Sequence, residues 1–467
     1  MKFKKVMCFI AHMVSELRGW TPHRIASEFR LEPRQIADAW SEKASDYAYG
    51  LQTGISVGQT DQTGKMSDII NLFQDRLETV QNILKREHGF TAFADIRTVN
   101  QERNKYLRHS VSLVGIVSDI RRSRSGGRIV ELEDRTGSVN IFIRAEDPAA
   151  GTLLLDDVIG VTAKFAEDKQ KGGAGDLMFC SRVQYPEVLP HNFNRGGLDF
   201  DPVSVAFASD IHMGSKEFLE KDWDKMMRWM NSDDETAQNI KYFVLSGDVV
   251  DGIGVYPGHD KNLSIHDVYD QYEYCARKLD ELPDHITPVI LPGNHDAVRP
   301  AEPQPVLEPL IQQRFNSTVH VGNPARINLH HAADSDADPF QILSYHGKGI
   351  DDMVPRMAHV TYERPAEAMK EMLKKRHLAP MWGERNALSP ETEDQMVIRD
   401  VPDLMVTGHT HAHQVEWYRG IPLIVSSTFQ NETDFMNMLG YQAKKSRLTV
   451  YNLRNRSTRV IPFQSFE

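Results

Sequence analysis

Apolar positions along the chain change their period twice. In the first stretch, Val6, Phe9, Ile10, Met13, Val14 and Leu17 recur at the three-and-four spacing of an amphipathic helix. Thr21-Pro22 is a cap followed by proline in the first turn, and predicts a second, short helix near 22–29. A third begins near Pro33 and carries Ile36 and Trp40. The Gly/Gln/Thr-rich stretch 50–65 reads as a linker. After it, Ser67 is the expected cap of a long helix with Ile70, Phe73, Leu77, Val80 and Leu84 on one face, closed by Gly89. RIASEFRLEPRQIADAW has the rhythm of a helix-turn-helix, but short helix pairs serve packing or docking far more often than DNA reading.

Between Arg108 and Pro186 the period falls to two. SVSLVGIVSDI, GGRIVELED, TGSVNIFIR, DDVIGVTAKF and DLMFCSRVQ read as five short strands with Gly-rich turns, the pattern of a small barrel of the OB type. Arg121, Arg122, Arg124 and Arg128 cluster in its first hairpin and are candidate DNA contacts, since such barrels often bind single strands. They fit a solvated loop on a protein-docking module equally well. The stretch 185–202, rich in Pro, Gly and Asn, reads as a linker. From Val203 the chain turns α/β: VSVAFA, KYFVLS, HITPVIL, FQILSY and DLMVT each run into a polar loop, with helices between most of them. The expected division is a helical region over 1–95, a barrel over 96–190 and an α/β domain over 191–467.

A length of 467 residues leaves room for two or three such domains. The 40% apolar and 25% charged composition is that of a folded globular chain and argues against a fibrous or wholly disordered one. Three cysteines (Cys8, Cys180, Cys275) without CxxC spacing cannot form a disulfide framework or a thiolate zinc site, and fit a reducing cytoplasm. Any metal is therefore expected on His, Asp or Asn. MKFKKVMCFIAHMV imitates a signal peptide, but His12 interrupts the apolar run and SELRGW follows it. No stretch approaches the roughly 18 apolar residues of a membrane span, so a cytoplasmic protein without membrane association is expected. The net charge of −11 is unlike a protein that coats itself in phosphate backbone. If nucleic acid is a ligand, local basic patches, bound cations or a partner must supply the attraction.

The candidate chemistry lies where the α/β strands end. Asp210-Ile-His212, Gly247-Asp248-Val-Val-Asp251, Gly293-Asn294-His295-Asp296, Tyr345-His346-Gly347 and Gly408-His409-Thr-His411 follow five predicted strands in order. Carboxyl ends of strands converge on one crevice in open α/β sheets, so these distant side chains can meet there. A DxH pair in extended chain turns both donors the same way, and one carboxylate such as Asp248 can bridge two cations about 3.5–4 Å apart. Each motif alone is weak. Five in this order, each with glycine where the backbone must turn sharply, are not.

This order resembles the calcineurin-like metallophosphoesterases over about 203–464. The resemblance implies a four-layer β-sandwich flanked by helices, with one metal on Asp210, His212, Asp248 and His411 and a second on Asp248, Asn294, His346 and His409. It further implies that His295 is an unligated histidine facing the phosphate, and that Asp251 and Asp296 orient ligands or His295. VVDGIGVYPGHDKNL, PGNHDAVRPAEPQP and the run from HLAPMWGERNALSP to GHTHAH, together with the preceding barrel, are similar to the small subunits of archaeal family-D DNA polymerases. That likeness implies a 3′–5′ proofreading exonuclease using two divalent ions, most simply Mn²⁺ with Fe or Zn as alternatives. Its implied partners are a large catalytic subunit, a DNA 3′ end and, indirectly, the sliding clamp. A scaffold subunit without catalysis and a free-standing metallophosphatase are the other two expectations that these residues allow.

Overall fold

The structure is a computed structural model that describes residues 43–47, 50–54, 64–167, 173–190, 201–329, 338–432 and 442–464. The three helices expected before residue 41 lie outside the described residues. The predicted linker 50–65 instead contains a strand, β1 (Gln52–Gly54), paired antiparallel with Ala325–Leu329 at the edge of a sheet. Its three residues have no apolar alternation to announce it, because an edge strand is specified by its partner's free backbone groups. The long helix, α1 (Met66–His88), starts one residue before the predicted cap Ser67. Asp68 accepts the Lys65 N–H at 3.0 Å in that cap's place. At the other end Gly89 takes the left-handed conformation, φ +63°, and the Phe90 N–H reaches Leu84 O.

The five strands with two-residue period are β2 (Val111–Arg122), β3 (Arg128–Asp134), β4 (Gly137–Ile143), β5 (Val158–Glu167) and β6 (Ala174–Gln184). They form a closed barrel in the order β2-β3-β4-β6-β5. Alternate residues point in: Leu113 and Val117, Val130 and Leu132, Val139, Ile141 and Ile143, Val161, Ala163 and Phe165, and Met178 fill the interior. Tyr185 and Val188, read as the start of a linker, are buried, Tyr185 against the barrel and Val188 against the α/β region.

The α/β region holds two six-stranded sheets. One contains β7 (Ser204–Ala208), β8 (Ile240–Ser246), β9 (Thr287–Leu291), β10 (Val319–His320), β16 (Arg447–Asn452) and β17 (Thr458–Pro462), in the order β10-β9-β8-β7-β16-β17. The other contains β1, β11 (Ala325–Leu329), β12 (Phe340–Tyr345), β13 (Leu404–Thr407), β14 (Gln414–Tyr418) and β15 (Ile421–Val425), in the order β1-β11-β12-β13-β15-β14. Both faces of the central strands are apolar, and alternation divides them. Val205, Phe207, Tyr242, Val244 and Val289 meet Ile327, Ile342, Leu404 and Val406 in a core shared by the two sheets. On the opposite face of β8, Phe243 and Leu245 pack with Trp223 and Met226 of α2 (Glu220–Met230) and Tyr272 and Cys275 of α3 (Val268–Leu279). On the opposite face of β12 and β13, Leu343 and Met405 pack with Met369 and Met372 of α4 (Ala366–Lys375). Shifting one of these strands by a residue would exchange the two sets, so each full burial, worth about 1.5–3 kcal/mol for such side chains, also holds the register.

Polar contacts tie the three regions together. Arg76 of α1, 1% exposed, gives its Nε to the Asp394 carboxylate at 2.6 Å and an Nη to the Pro380 carbonyl at 2.6 Å. Lys375 of α4 pairs with Asp157 of the barrel, both side chains being almost fully buried. No helix among the described residues is long and apolar enough to cross a membrane.

Candidate metal centre

Strands β7, β8 and β9 are parallel neighbours, as are β12 and β13. Their carboxyl ends carry, in turn, Asp210 and His212; Asp248 and Asp251; Asn294, His295 and Asp296; His346; and His409 and His411. The backbone is unusual at the donors themselves. Asp210, His212, Asp248, His409 and His411 all have φ between +50° and +67°. Each such non-glycine residue costs on the order of 1–3 kcal/mol and persists only where its surroundings hold it. At Asp210 the hold is visible: its carbonyl accepts the Phe429 N–H at 3.1 Å and the Thr428 hydroxyl at 2.7 Å. The chains also approach closely enough to need glycine. A Cβ on Gly408 would lie 1.7 Å from Ser209 Oγ, and one on Gly293 would lie 2.2 Å from Asp248 Oδ1.

What converges is a surplus of acceptors. His346 donates its Nδ1–H to the Ser246 carbonyl at 2.9 Å, which leaves a lone pair on Nε2. That nitrogen sits 3.2 Å from Asp248 Oδ2 and 3.1 Å from Asn294 Oδ1. Three electron-rich atoms meet with no donor between them, and a positive charge is what such a nest accommodates. In the protein alone a proton can supply it: burial opposes charge on His346, yet the Asp248 carboxylate outweighs burial and lifts the imidazole to about 10. A divalent cation fits the same place. Likewise His212 gives its Nδ1–H to Asp251 at 2.9 Å and turns its bare Nε2 toward His411 Nε2 at 3.2 Å, with Asp210 Oδ1 3.5 Å from His411. Burial and the neighbouring His212 hold His411 well below the usual histidine range. The ligand atoms of Asp210, His212 and His411, and those of Asp210, Asp248 and His346, each lie within 4.8 Å of one another. Two adjoining nests of mixed carboxylate and imidazole, nearly all buried, fit a pair of divalent ions.

The family model of the DNA polymerase alpha/epsilon B-subunit matches residues 205–416, the segment that contains all of these donors. The chain is 36% identical over 430 residues to the DNA polymerase II small subunit of Archaeoglobus fulgidus, covering 90% of this chain and 82% of that one. It belongs to the archaeal DNA polymerase II small subunits. Within this family it is also 35% identical over 411 residues to the small subunit of Methanocaldococcus jannaschii (85% of this chain, 65% of that one). To that of Methanothermobacter thermautotrophicus it is 34% identical over 408 residues (84% and 78%). A solved archaeal phosphodiesterase shares 14% identity and covers 56% of this chain and 99% of its own, but with a TM-score of 0.28 the match carries no argument.

Around the nests, this small subunit arranges the remaining motif residues. His295 donates its Nδ1–H to the Asp251 carbonyl at 2.7 Å, and its own backbone N–H goes to Asp248 Oδ1 at 2.8 Å. Burial pushes its imidazole down to about 4. Asp251 carries His212 on one carboxylate oxygen and His259 on the other, at 3.2 Å. Asp296 does not touch the His295 side chain; it accepts the backbone N–H groups of Asp248 and Gly293, each at 2.8 Å, and so shapes two ligand loops. His409 gives its Nε2–H to Asp351 at 3.0 Å, which leaves only Nδ1 as a lone-pair donor. His259 lies within the segment VVDGIGVYPGHDKNL but, like Asp351, was not singled out as a site residue by the sequence. Asp351 follows His346 by five residues on a short helix, Ile350–Met353, and only the fold turns it back to His409. The hairpin arginines lie apart from this centre. Arg122 and Arg124 are exposed, Arg121 pairs with Asp119 at 2.8 Å, and Arg128 spends its Nε on the Ala150 carbonyl at 2.9 Å.

Proposed function

We propose that this chain is the two-metal 3′–5′ exonuclease of a two-subunit DNA polymerase, cleaving the terminal phosphodiester of a DNA 3′ end while a large subunit polymerises. The observation that carries the reading is the pair of adjoining acceptor nests, in which donors from all five strand-end motifs meet. Asp210, His212, Asp248 and His411 would hold one ion. Asp248, Asn294, His346 and, through Nδ1, His409 would hold the other. The two layered helix faces around a core shared by two sheets support a calcineurin-like sandwich, and the five-stranded closed barrel supports an OB-type module before it. Such a pair of ions, most simply Mn²⁺ given the mixed nitrogen and oxygen donors, supplies Lewis-acid neutralisation of phosphoryl charge and an activated water at neutral pH.

The protein's own part is positioning and proton handling. With Nδ1–H held by the Asp251 carbonyl, His295 keeps Nε2 as its lone-pair nitrogen. A phosphodiester drawn against that nitrogen adds negative charge, opposes the burial that keeps the ring neutral, and favours the imidazolium. The imidazolium can then donate its Nε2 proton to the 3′ oxygen that leaves. Asp251 keeps both His212 and His295 in the required tautomers.

The test is release of nucleotides from a mismatched primer with and without Mn²⁺, compared with cleavage of a small phosphomonoester, for the parent and Asp248→Asn. Metal-dependent release of 3′ nucleotides that the substitution abolishes is expected. Full activity in Asp248→Asn, or a preference for the phosphomonoester, would overturn the reading.

A further inference from the structure

Each proposed ion has one imidazole ligand whose tautomer is set by a chain of hydrogen bonds that begins outside the donor set. For His212 the chain starts at the Val255 N–H, which goes to His259 Nδ1 at 3.3 Å. His259 must then carry its hydrogen on Nε2, and gives it to Asp251 Oδ2 at 3.2 Å. The other oxygen of Asp251 accepts the His212 Nδ1–H at 2.9 Å and the Gln430 amide at 3.3 Å. His259 opens the short turn His259–Asn262 behind Gly258, φ +80°, and the Tyr256 ring lies over it with centroids 4.3 Å apart. A ring nitrogen of His259 also falls within 4.8 Å of ligand atoms of Asp251 and His295. Both of its nitrogens are spent, however, so it is not itself a metal donor. For His409 the chain starts at Tyr362, in the turn before α4. The Tyr362 hydroxyl goes to Asp351 Oδ1 at 3.0 Å, and Asp351 Oδ2 accepts the His409 Nε2–H at 3.0 Å.

We propose that His259 and Tyr362 are positioning residues for different ions, so that each ion can be loosened without the other. The two chains share no residue. His212, Asp251 and His259 follow β7 and β8 of one sheet, whereas Asp351 and His409 follow β12 and β13 of the other. Each chain works in the same way. A carboxylate held at both oxygens keeps its orientation, and its orientation decides which imidazole nitrogen carries the hydrogen. With one hold removed, the carboxylate turns and the imidazole is free to put its hydrogen on the nitrogen that should face the ion, where it blocks coordination. Burial makes the first chain the stiffer. His259 and Asp251 are each 1% exposed, while the Asp351 side chain is 24% exposed and water can stand in for part of what Tyr362 does. The larger effect is therefore expected at His259. The inference rests on the two-ion part of the proposed function and not on its nuclease part, because it concerns metal binding without a substrate.

The experiment titrates the metal-free full chain with Mn²⁺ and follows the free ion by its electron spin resonance. The parent is expected to bind two ions. His259→Leu should weaken one of them about 10- to 100-fold and leave the other as in the parent, and Tyr362→Phe should weaken one about tenfold. The double variant decides whether these are different ions: it should keep neither at the parent's affinity. His259→Gln retains an N–H for Asp251 and should regain most of the loss, and melting temperatures in EDTA separate all of these changes from unfolding. A double variant that still holds one ion as tightly as the parent overturns the proposal. So do single variants that lose both ions together or neither. A His259→Gln variant that binds as poorly as His259→Leu makes the residue a packing group and also overturns it. A parent that binds fewer than two ions overturns this inference and the two-ion reading together. Cleavage of DNA is not measured, so the nuclease reading stands or falls by its own test.

Discussion

At His346 a proton and a cation compete for one position, and the same logic separates the roles of the other histidines. Imidazoles whose Nδ1–H is held by a carbonyl or carboxylate, His212 and His346, aim a lone pair into an acceptor nest. His295 has the same Nδ1 restraint and a ring nitrogen within 4.8 Å of ligand atoms of His212 and Asp248, and it is the histidine that the proposed reading leaves for substrate. For His295→Ala we expect Mn content and melting temperature close to those of the parent and single-turnover cleavage of a mismatched primer reduced about 10²- to 10⁴-fold, the usual worth of a positioned general acid. Loss of metal along with rate would make it a ligand, and loss of thermal stability with an unchanged rate per folded molecule would make it a packing residue. The convergence of Asp210, His212, Asp248, Asn294, His346, His409 and His411 was legible because each follows an apolar run that can only be a buried strand. His259 and Asp351 were not. Their meaning depends on which imidazole they touch, and no local pattern encodes that.

Among the elements, α1 shows how a surface pattern can hide a buried charge. Its apolar stripe was readable at Leu77, Val80 and Leu84, but Ile70, expected on the same face, is 48% exposed, and Arg76 reads as an ordinary polar-face residue and is instead almost fully enclosed between Asp394 and the Pro380 carbonyl. Burial alone would raise the Asp394 carboxyl; Arg76 and His377 outweigh it and hold the carboxyl far below its usual range. Such a group stabilises the fold at pH values above the ordinary carboxylate value of about 4, and the contribution is lost as pH falls below it. Arg76→Met should therefore cost about 3–5 kcal/mol at neutral pH, since it takes the permanent cation from a buried carboxylate and leaves it His377 at 3.0 Å. The difference from the parent should shrink as pH is lowered below about 4, because the parent gives up its stabilised anion there and the variant has less to lose. Chemical denaturation of both proteins at several pH values checks this; a gap that widens in acid contradicts the assignment. Barrel strands were easier to read than α1's partners, since a period of two states both the element and its inner face. The alignment of Phe142 of β4 with Phe179 of β6 was still invisible, because these strands are neighbours only after the barrel closes.

Across the whole molecule, residues 43–47 and 50–54 have an effect out of proportion to their number. Besides supplying β1, this segment offers the carbonyls of Ala44 and Tyr47 to the Lys241 ammonium, at 3.1 and 2.8 Å. Lys241 is a β8 residue, 7% exposed, and burial already depresses its ammonium. Taking the segment away would leave the outer backbone groups of β11 open as a template for another chain, and a cation without its acceptors at the rim of the shared core. A chain trimmed to begin at Gly64 is thus expected to self-associate through β11 and to show it as concentration-dependent light scattering, while a Lys241→Met substitution in the trimmed chain relieves the stranded charge but not the association. What the sequence presents as a tether between domains is in this respect a selvedge, the woven border that keeps a sheet from unravelling into its neighbours.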